Sequence, residues 1–200
     1  MKSDLADEYR ERYNTALKAL ASAIEAQLHE YFDGQPRIDR ISARAKTPER
    51  FLAKAQATQN GAPKYTEPLR QIQDQVGARI TTFYLSDIER VSEIVLKYYQ
   101  PIESKNVVPE DEWKFGYFGR HFVLIVPSDC VGALDTTKVP QFFELQVKTL
   151  FQHAWSEANH DLGYKPGAVP LKPDEERRLA FTSAQAWGAD QIFDELFRRT

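Results

Sequence analysis

The chain reads as an α+β protein: a mixed β-sheet of about four or five strands covered by helices, with a long helix at each end. Three observations predict this. Leu5, Tyr9, Tyr13, Leu17, Leu20, Ile24, Leu28 and Tyr31 recur every three or four residues and form one apolar stripe on a single helix. Segments 78–85, 102–108, 120–126 and 141–148 read as strands. Helical patterns lie among those strands instead of alternating with them regularly, as expected of a sheet covered by helices.

Two hundred residues fit one domain with a sizeable core. We divide it into an N-terminal helix (1–32), a central core (38–165) and a C-terminal helical segment (174–199), all within a single unit spanning 1–200. The formal charge of -3 gives no support to general nucleic-acid binding, so any anion site must be local. Cys130 is the only cysteine, which excludes an internal disulfide and a cysteine-based zinc site. No apolar run reaches membrane-spanning length, and the first nine residues are too charged for a signal peptide. A cytoplasmic protein is expected.

The N-terminal stripe ends before Asp33-Gly34-Gln35-Pro36 and is packing surface. Residues 37–54 are locally basic: Arg37, Arg40, Arg44, Lys46, Arg50 and Lys54 face only Asp39 and Glu49. Thr47-Pro48-Glu49 has the form of a helix start, Thr47 capping and Pro48 in the first turn. Arg50 and Lys54 then share a helix face with Lys46 just ahead of it. Such a face is either solvated charge or a polyphosphate site, since separate cations at a helix start can neutralise several phosphate oxygens.

Asn60-Gly61-Ala62-Pro63 reads as a loop and 65–73 as a short helix. Asp74-Gln75-Val76-Gly77-Ala78-Arg79 leads into the first strand, and Ser86 is expected to cap a helix through Tyr99 with Ile88, Val91, Ile94, Val95 and Tyr98 inward. Pro101 stops it. In Phe115-Gly116-Tyr117-Phe118-Gly119, glycines flank an aromatic, which permits an exposed ring suited to stacking on a base; a buried tyrosine at a strand start is the other reading. Segment 142–148 alternates, with Phe143, Leu145 and Val147 on one face and Glu144, Gln146 and Lys148 on the other. The polar row is either solvent-facing or the floor of a site where a carboxylate can hold a metal. From Thr149 the period becomes helical, with Leu150, Ala154, Ala158 and Trp155 on one stripe and His153, Glu157 and His160 on another. Gly163-Tyr164-Lys165 ends that helix. The C-terminal helix shows a stripe of Leu179, Ala186, Ala189, Phe193, Leu196 and Phe197, interrupted by Gly188.

Arg44-x-Lys46 with Lys54, then D-x-x-G-x-R, then G-Y-x-x-x-H, then E-x-Q-x-K-T and a helix ending in Y-K, occur in one order over residues 41–165. This succession resembles the synthetase domain of the RelA/SpoT family, the (p)ppGpp synthetases, and in particular its small stand-alone members. The resemblance implies a nucleotidyltransferase-like fold and Mg²⁺-dependent transfer of the β,γ-diphosphate of ATP to a ribose 3′-hydroxyl. Carried over by position, Arg44 and Arg79 would sandwich the adenine, and Lys46 and Lys54 would hold the ATP phosphates. Asp74 would ligate Mg²⁺, and Glu144 would join it or accept the 3′-hydroxyl proton. Tyr117 would stack on the acceptor base, with His121, Gln146 and Lys148 on the acceptor side.

The sequence departs from the family at Gly119, often serine; at Lys148, often arginine; at Asn159, often glutamate; and at Phe115, asparagine in long members. These departures bear on the acceptor more than on the donor. The implied acceptor is GDP or GTP. The alternatives are a toxic synthetase that modifies the tRNA 3′ end, with an antitoxin as partner, and an inactive nucleotide-binding regulator. A homo-oligomer is left open, and no membrane partner is expected. The N-terminal forty residues hold one histidine and no His-Asp pair, so a hydrolase role is not expected. A zinc site on His153, Glu157 and His160 is the remotest alternative.

Overall fold

The computed structural model describes residues 2–108, 115–116, 118–163 and 170–200. Tyr117, residues 109–114 and the expected helix stop at Tyr164-Lys165 lie outside them. The N-terminal stripe forms α1 (Lys2–Arg12), a π-helical turn (Tyr13–Leu17) and α2 (Lys18–Tyr31), continuous through helical backbone at Leu17. Tyr9, Leu17, Leu20, Ile24 and Leu28 are wholly buried along it. The chain reverses at Gly34 and Arg37, both at positive φ. For Arg37 that conformation is compensated by contacts at both ends of its side chain: Nε donates to Asp87 at 3.0 Å, and the guanidinium lies over the Phe197 ring.

Next comes β1 (Ile38–Ala45), a strand within the basic segment that the sequence pattern did not predict. A register irregularity between Ile38 and Arg40 breaks the two-residue alternation that marks a strand. Thr47 caps α3 (Pro48–Ala55) as expected, its side chain accepting from the Arg50 amide. The predicted loop is a hairpin, β2 (Thr58–Gln59) with β3 (Ala62–Pro63), turned by Asn60 and Gly61 at positive φ. The helix expected over 65–73 is shorter, α4 (Pro68–Gln71), with a 3₁₀ turn at Gln73–Gln75 leading into β4 (Val76–Thr82).

Helix α5 (Leu85–Tyr98) corrects two expectations. Asp87, not Ser86, supplies the N-terminal cap, its Oδ2 accepting from the Tyr84 amide at 3.3 Å. Its buried carboxylate also takes Arg37 and Arg90, a stronger set of donors than a serine hydroxyl could hold. Tyr98 is exposed and stacks on Tyr31, while Tyr99, just past the helix, is the buried ring against Phe143. There follow β5 (Pro101–Val107), β6 (Gly119–Ile125), the short α6 (Ser128–Val131), β7 (Phe142–Thr149), α7 (Leu150–Gly163) and α8 (Pro173–Phe197).

The five long strands make one sheet in the order β1-β4-β7-β6-β5. Only β4 and β7 run parallel; every other pair is antiparallel, so the sheet is mixed as predicted. One face carries Ala78, Ile80, Leu145, Val147, Phe122 and Leu124, which join Ile24, Leu28, Val91 and Val95 of α2 and α5 in the core. Against the other face lies α7, through polar groups: its buried residue is Ser156, and Leu150, Ala154 and Ala158 are exposed. Helix α8 likewise buries Ser183, Asp190 and Asp194, while Phe193 and Leu196 of its expected apolar stripe are about half exposed. Gly188 does not interrupt it. The inward side is polar because it bonds to other elements: Asp190 accepts from Thr149 Oγ1 at 2.7 Å, and Asp194 from the Ser86 amide at 2.8 Å.

One aromatic contact fixes the basic helix to this frame. The Tyr9 ring stacks on Phe51 of α3 at 3.6 Å between centroids, and its hydroxyl donates to the Lys46 carbonyl at 2.9 Å. Phe51→Ala is expected to cost about 3–5 kcal/mol in urea unfolding. Tyr9→Phe keeps the ring and loses one hydrogen bond, so about 0.5–1.5 kcal/mol is expected.

Candidate active site

Strand pairing gathers the predicted residues at one end and on one face of the sheet. Because β1 runs antiparallel to β4, its last residues lie beside the first residues of β4: Arg44 pairs with Gly77 and Ala45 with Val76. Because β7 runs parallel to β4, its early residues lie there too, and Gly77 pairs with Glu144. Arg79 then pairs with Gln146, which pairs on its other side with His121. Side chains two apart share a face, so Arg44, Arg79, Glu144, Gln146, Lys148 and His121 all project to the side opposite the apolar core.

Asp74 stands on the 3₁₀ turn just ahead of β4. Its Oδ2 receives Lys46 Nζ at 2.9 Å and Lys54 Nζ at 2.8 Å, the first from the loop after β1 and the second from α3. Oδ1 is buried and takes no hydrogen bond. The turn is held by Gln75, which is wholly buried and donates to the carbonyls of Leu69 at 2.8 Å and Ile72 at 3.1 Å. The Lys46 amide donates to the Gln75 carbonyl at 2.8 Å, tying the lysine-bearing loop to the same turn.

Glu144 accepts Gln146 Nε2 at 3.1 Å and lies 2.9 Å from His121 Nδ1. Burial alone would raise its pKa, but the His121 contact, the Gln146 bond and the Lys54 charge outweigh burial and hold the carboxyl below its ordinary value. Lys54 in turn has a raised pKa: burial opposes its charge, and Asp74 and then Glu144 favour it. Lys54 therefore stands within electrostatic reach of both carboxylates.

Arg79 joins the sheet to α7. Its guanidinium donates to Glu157 at 2.6 Å and to Gln146 Oε1 at 3.3 Å, and meets His153 Nδ1 at 2.8 Å. Burial, followed by the Arg79 charge, lowers the His153 pKa. His153 and Glu157 of the expected polar stripe of α7 are thus engaged with Arg79. Burial lowers the pKa of Arg44, and the neighbouring charge of Arg50 lowers it further. Lys148 is 2 % exposed, and its ammonium donates to Ser156 Oγ at 3.0 Å. Burial pushes its pKa down to about 7, with Arg79 adding to the shift.

The profile described as "Region found in RelA / SpoT proteins" matches residues 43–168. The chain belongs to the RelA/SpoT family. Among its relatives, the GTP pyrophosphokinase YjbM of Bacillus subtilis (strain 168) is 28% identical over 175 residues, covering 84% of this chain and 76% of that protein. GTP pyrophosphokinase YwaC of the same organism is 26% identical over 177 residues, covering 84% and 80%. The fold is similar to that of the small alarmone synthetase 1 from Bacillus subtilis in complex with its product pppGpp, at a TM-score of 0.70 and 23% identity over 96% of each chain.

Within this RelA/SpoT chain, nine of the ten residues singled out from the sequence lie on the described face or at its rim; Tyr117, as noted, is outside the description. Sequence reasoning passed over Gln75, Ser156 and Tyr9, which hold the turn, the buried lysine and the lysine loop. Gln75 sits inside the D-x-x-G-x-R motif, and that position is the one signal the sequence offered for it.

Lys148 makes stability depend on pH in a defined direction. Its folded pKa, about 7, lies below the ordinary lysine value, so between the two the unfolded chain binds the extra proton and stability rises with pH. Lys148→Met should therefore be more stable than the parent at pH 6, with an advantage that shrinks steadily as pH rises through 7 toward 10. Urea midpoints measured across that range check it; a constant difference refutes it.

Proposed function

We propose that the protein is an ATP-dependent pyrophosphokinase that transfers the β,γ-diphosphate of ATP to the 3′-hydroxyl of GDP or GTP, making (p)ppGpp. The observation that carries this reading is the Asp74 carboxylate between Lys46 and Lys54, beside Glu144, at one sheet end within the RelA/SpoT region. Separate ammonium groups on a loop and a helix suit a polyphosphate, and two carboxylates beside them suit its metal.

The donor set fits magnesium. Asp74 keeps a buried oxygen without a hydrogen-bond partner, and Glu144 is held ionised nearby. Two carboxylates would offer oxygen donors of the kind Mg²⁺ prefers. Asp74 and Glu144 would hold the ion, which would supply charge neutralisation on the bridging phosphate oxygens.

The chain's own residues account for the rest. Lys46 and Lys54 bind the β- and γ-phosphates, and Arg44 and Arg79 flank the adenine. Tyr117 stacks on the acceptor base, with His121 and Gln146 on that side; Lys148, buried against Ser156, can bear on the acceptor only through its charge and not by contact. The 3′-oxygen attacks the β-phosphorus, the bond from that phosphorus to the α,β-bridging oxygen breaks, and AMP leaves. The 3′-hydroxyl proton passes to Glu144. The depressed pKa of Glu144 keeps it ready to accept while limiting its strength as a base, so positioning and charge neutralisation supply most of the acceleration. Gln146 links the two halves, accepting from Arg79 and donating to Glu144.

Incubation with γ-labelled ATP and, separately, GDP, GTP and tRNA tests the reading: label on the guanosine nucleotides is expected, and label on tRNA alone overturns it. Asp74→Asn and Glu144→Gln should each lower transfer by roughly 10²-fold or more, the scale of losing one preorganised charged group, with thermal midpoints near that of the parent. Lys46→Ala and Lys54→Ala should weaken ATP binding by about 1.5–3 kcal/mol each in calorimetry and leave acceptor binding nearly intact.

A further inference from the structure

Helix α8 is attached by directional bonds more than by apolar burial. Its three buried residues are Ser183, Asp190 and Asp194, and each bonds to a different element. Asp190 reaches the end of β7 and Asp194 the start of α5. Ser183 is 2 % exposed, and its hydroxyl donates to the carbonyl of Gly116 at 2.6 Å. Four residues further along α8, the Trp187 ring meets Phe115 edge-on, 6.0 Å between centroids. Gly116 and Phe118 share one small cleft with Trp155, Ser183, Trp187 and Asp190. The residues on both sides of Tyr117 in the sequence thus lie against α8.

Fixing a segment flanked by glycines costs more backbone entropy than fixing an ordinary one. A buried hydroxyl on a long helix, bonded to the carbonyl immediately before Tyr117, bears that cost before any acceptor arrives. We propose that Ser183 is a positioning residue for the acceptor, its bond to Gly116 fixing the backbone that leads into Tyr117. The proposal rests on the acceptor reading given above. It assigns α8 a part in the reaction although α8 supplies none of the groups that would bind ATP or the metal.

Ser183→Ala, with Ser183→Thr as the conservative variant that retains the hydroxyl, tests this in two arms. In the first, Ser183→Ala should raise KM for GDP by about 3- to 10-fold, the loss of one neutral hydrogen bond, while KM for ATP and kcat stay within about twofold and Ser183→Thr restores KM. Equal rises in both KM values, as from general unfolding, or no rise for GDP, overturn the proposal. The second arm needs no acceptor chemistry: amide exchange of the peptide covering 115–119 should speed up in Ser183→Ala and return in Ser183→Thr. Unchanged exchange overturns the proposal whatever the acceptor. Absence of labelled guanosine nucleotide with the parent protein overturns the functional reading instead, so the two failures are distinguishable.

Discussion

The parallel pairing of β4 with β7 is the constraint on which the site depends. It sets Gly77 opposite Glu144 and Arg79 opposite Gln146, while the antiparallel β1 brings Arg44 to the same end. Three segments distant in sequence thereby place their cations and carboxylates together. A slip of one residue would turn Glu144 toward the core and Phe143 or Leu145 into the cleft. Phe143, Leu145 and Val147 are wholly buried on the opposite face, so the apolar packing that stabilises the sheet also fixes the register of the polar row. Stability and chemistry are written into alternate residues of one strand.

The charges in the cleft are internally balanced, which reconciles an acidic protein with a polyanionic substrate. Lys46 and Lys54 meet Asp74, Arg79 meets Glu157, and Glu144 meets His121. Each group is held in place by a partner of opposite sign or by a hydrogen bond, so little reorganisation is needed when charge is added. In the proposed reaction, ATP phosphates would compete with Asp74 for the two lysines, which would free the carboxylate to hold a metal ion. The net charge of the whole chain is irrelevant to this exchange; the local spacing of these charged groups on one face of the sheet decides it.

The central strands and the site row were legible because both obey a simple period. Alternation in 142–148 and the order of the motifs singled out Glu144, Gln146, Asp74 and the lysines as candidates. Strand β1 was not legible: its bulge near Ile38 and Arg40 spoils the alternation, and its basic residues read as a charged face. Helices α7 and α8 misled for the opposite reason. Their apolar stripes are regular, yet Ser156, Ser183, Asp190 and Asp194 are the buried residues. Periodicity locates a helix but assumes that the apolar side faces inward. Where a helix is attached through hydrogen bonds to strand ends, loop carbonyls and helix starts, that assumption fails, and serine and aspartate at helical spacing carry the packing information.

Lys148 shows how such a polar attachment can accommodate a buried cation. An arginine at this buried position would bring five donors in a rigid fork, and each donor left unpaired would be costly to bury. Lysine brings a compact ammonium, and Ser156 Oγ, turned inward from α7, offers it a single-atom acceptor at 3.0 Å. The Ser156 hydroxyl in turn donates to the His153 carbonyl at 2.9 Å, which orients its lone pairs toward the lysine. Unlike a guanidinium, the ammonium can also release its proton near neutral pH when burial disfavours its charge. Lys148 is therefore matched to its surroundings: a short acceptor on α7, a dry position under the helix, and a neighbouring arginine whose own charge favours a lysine able to become neutral.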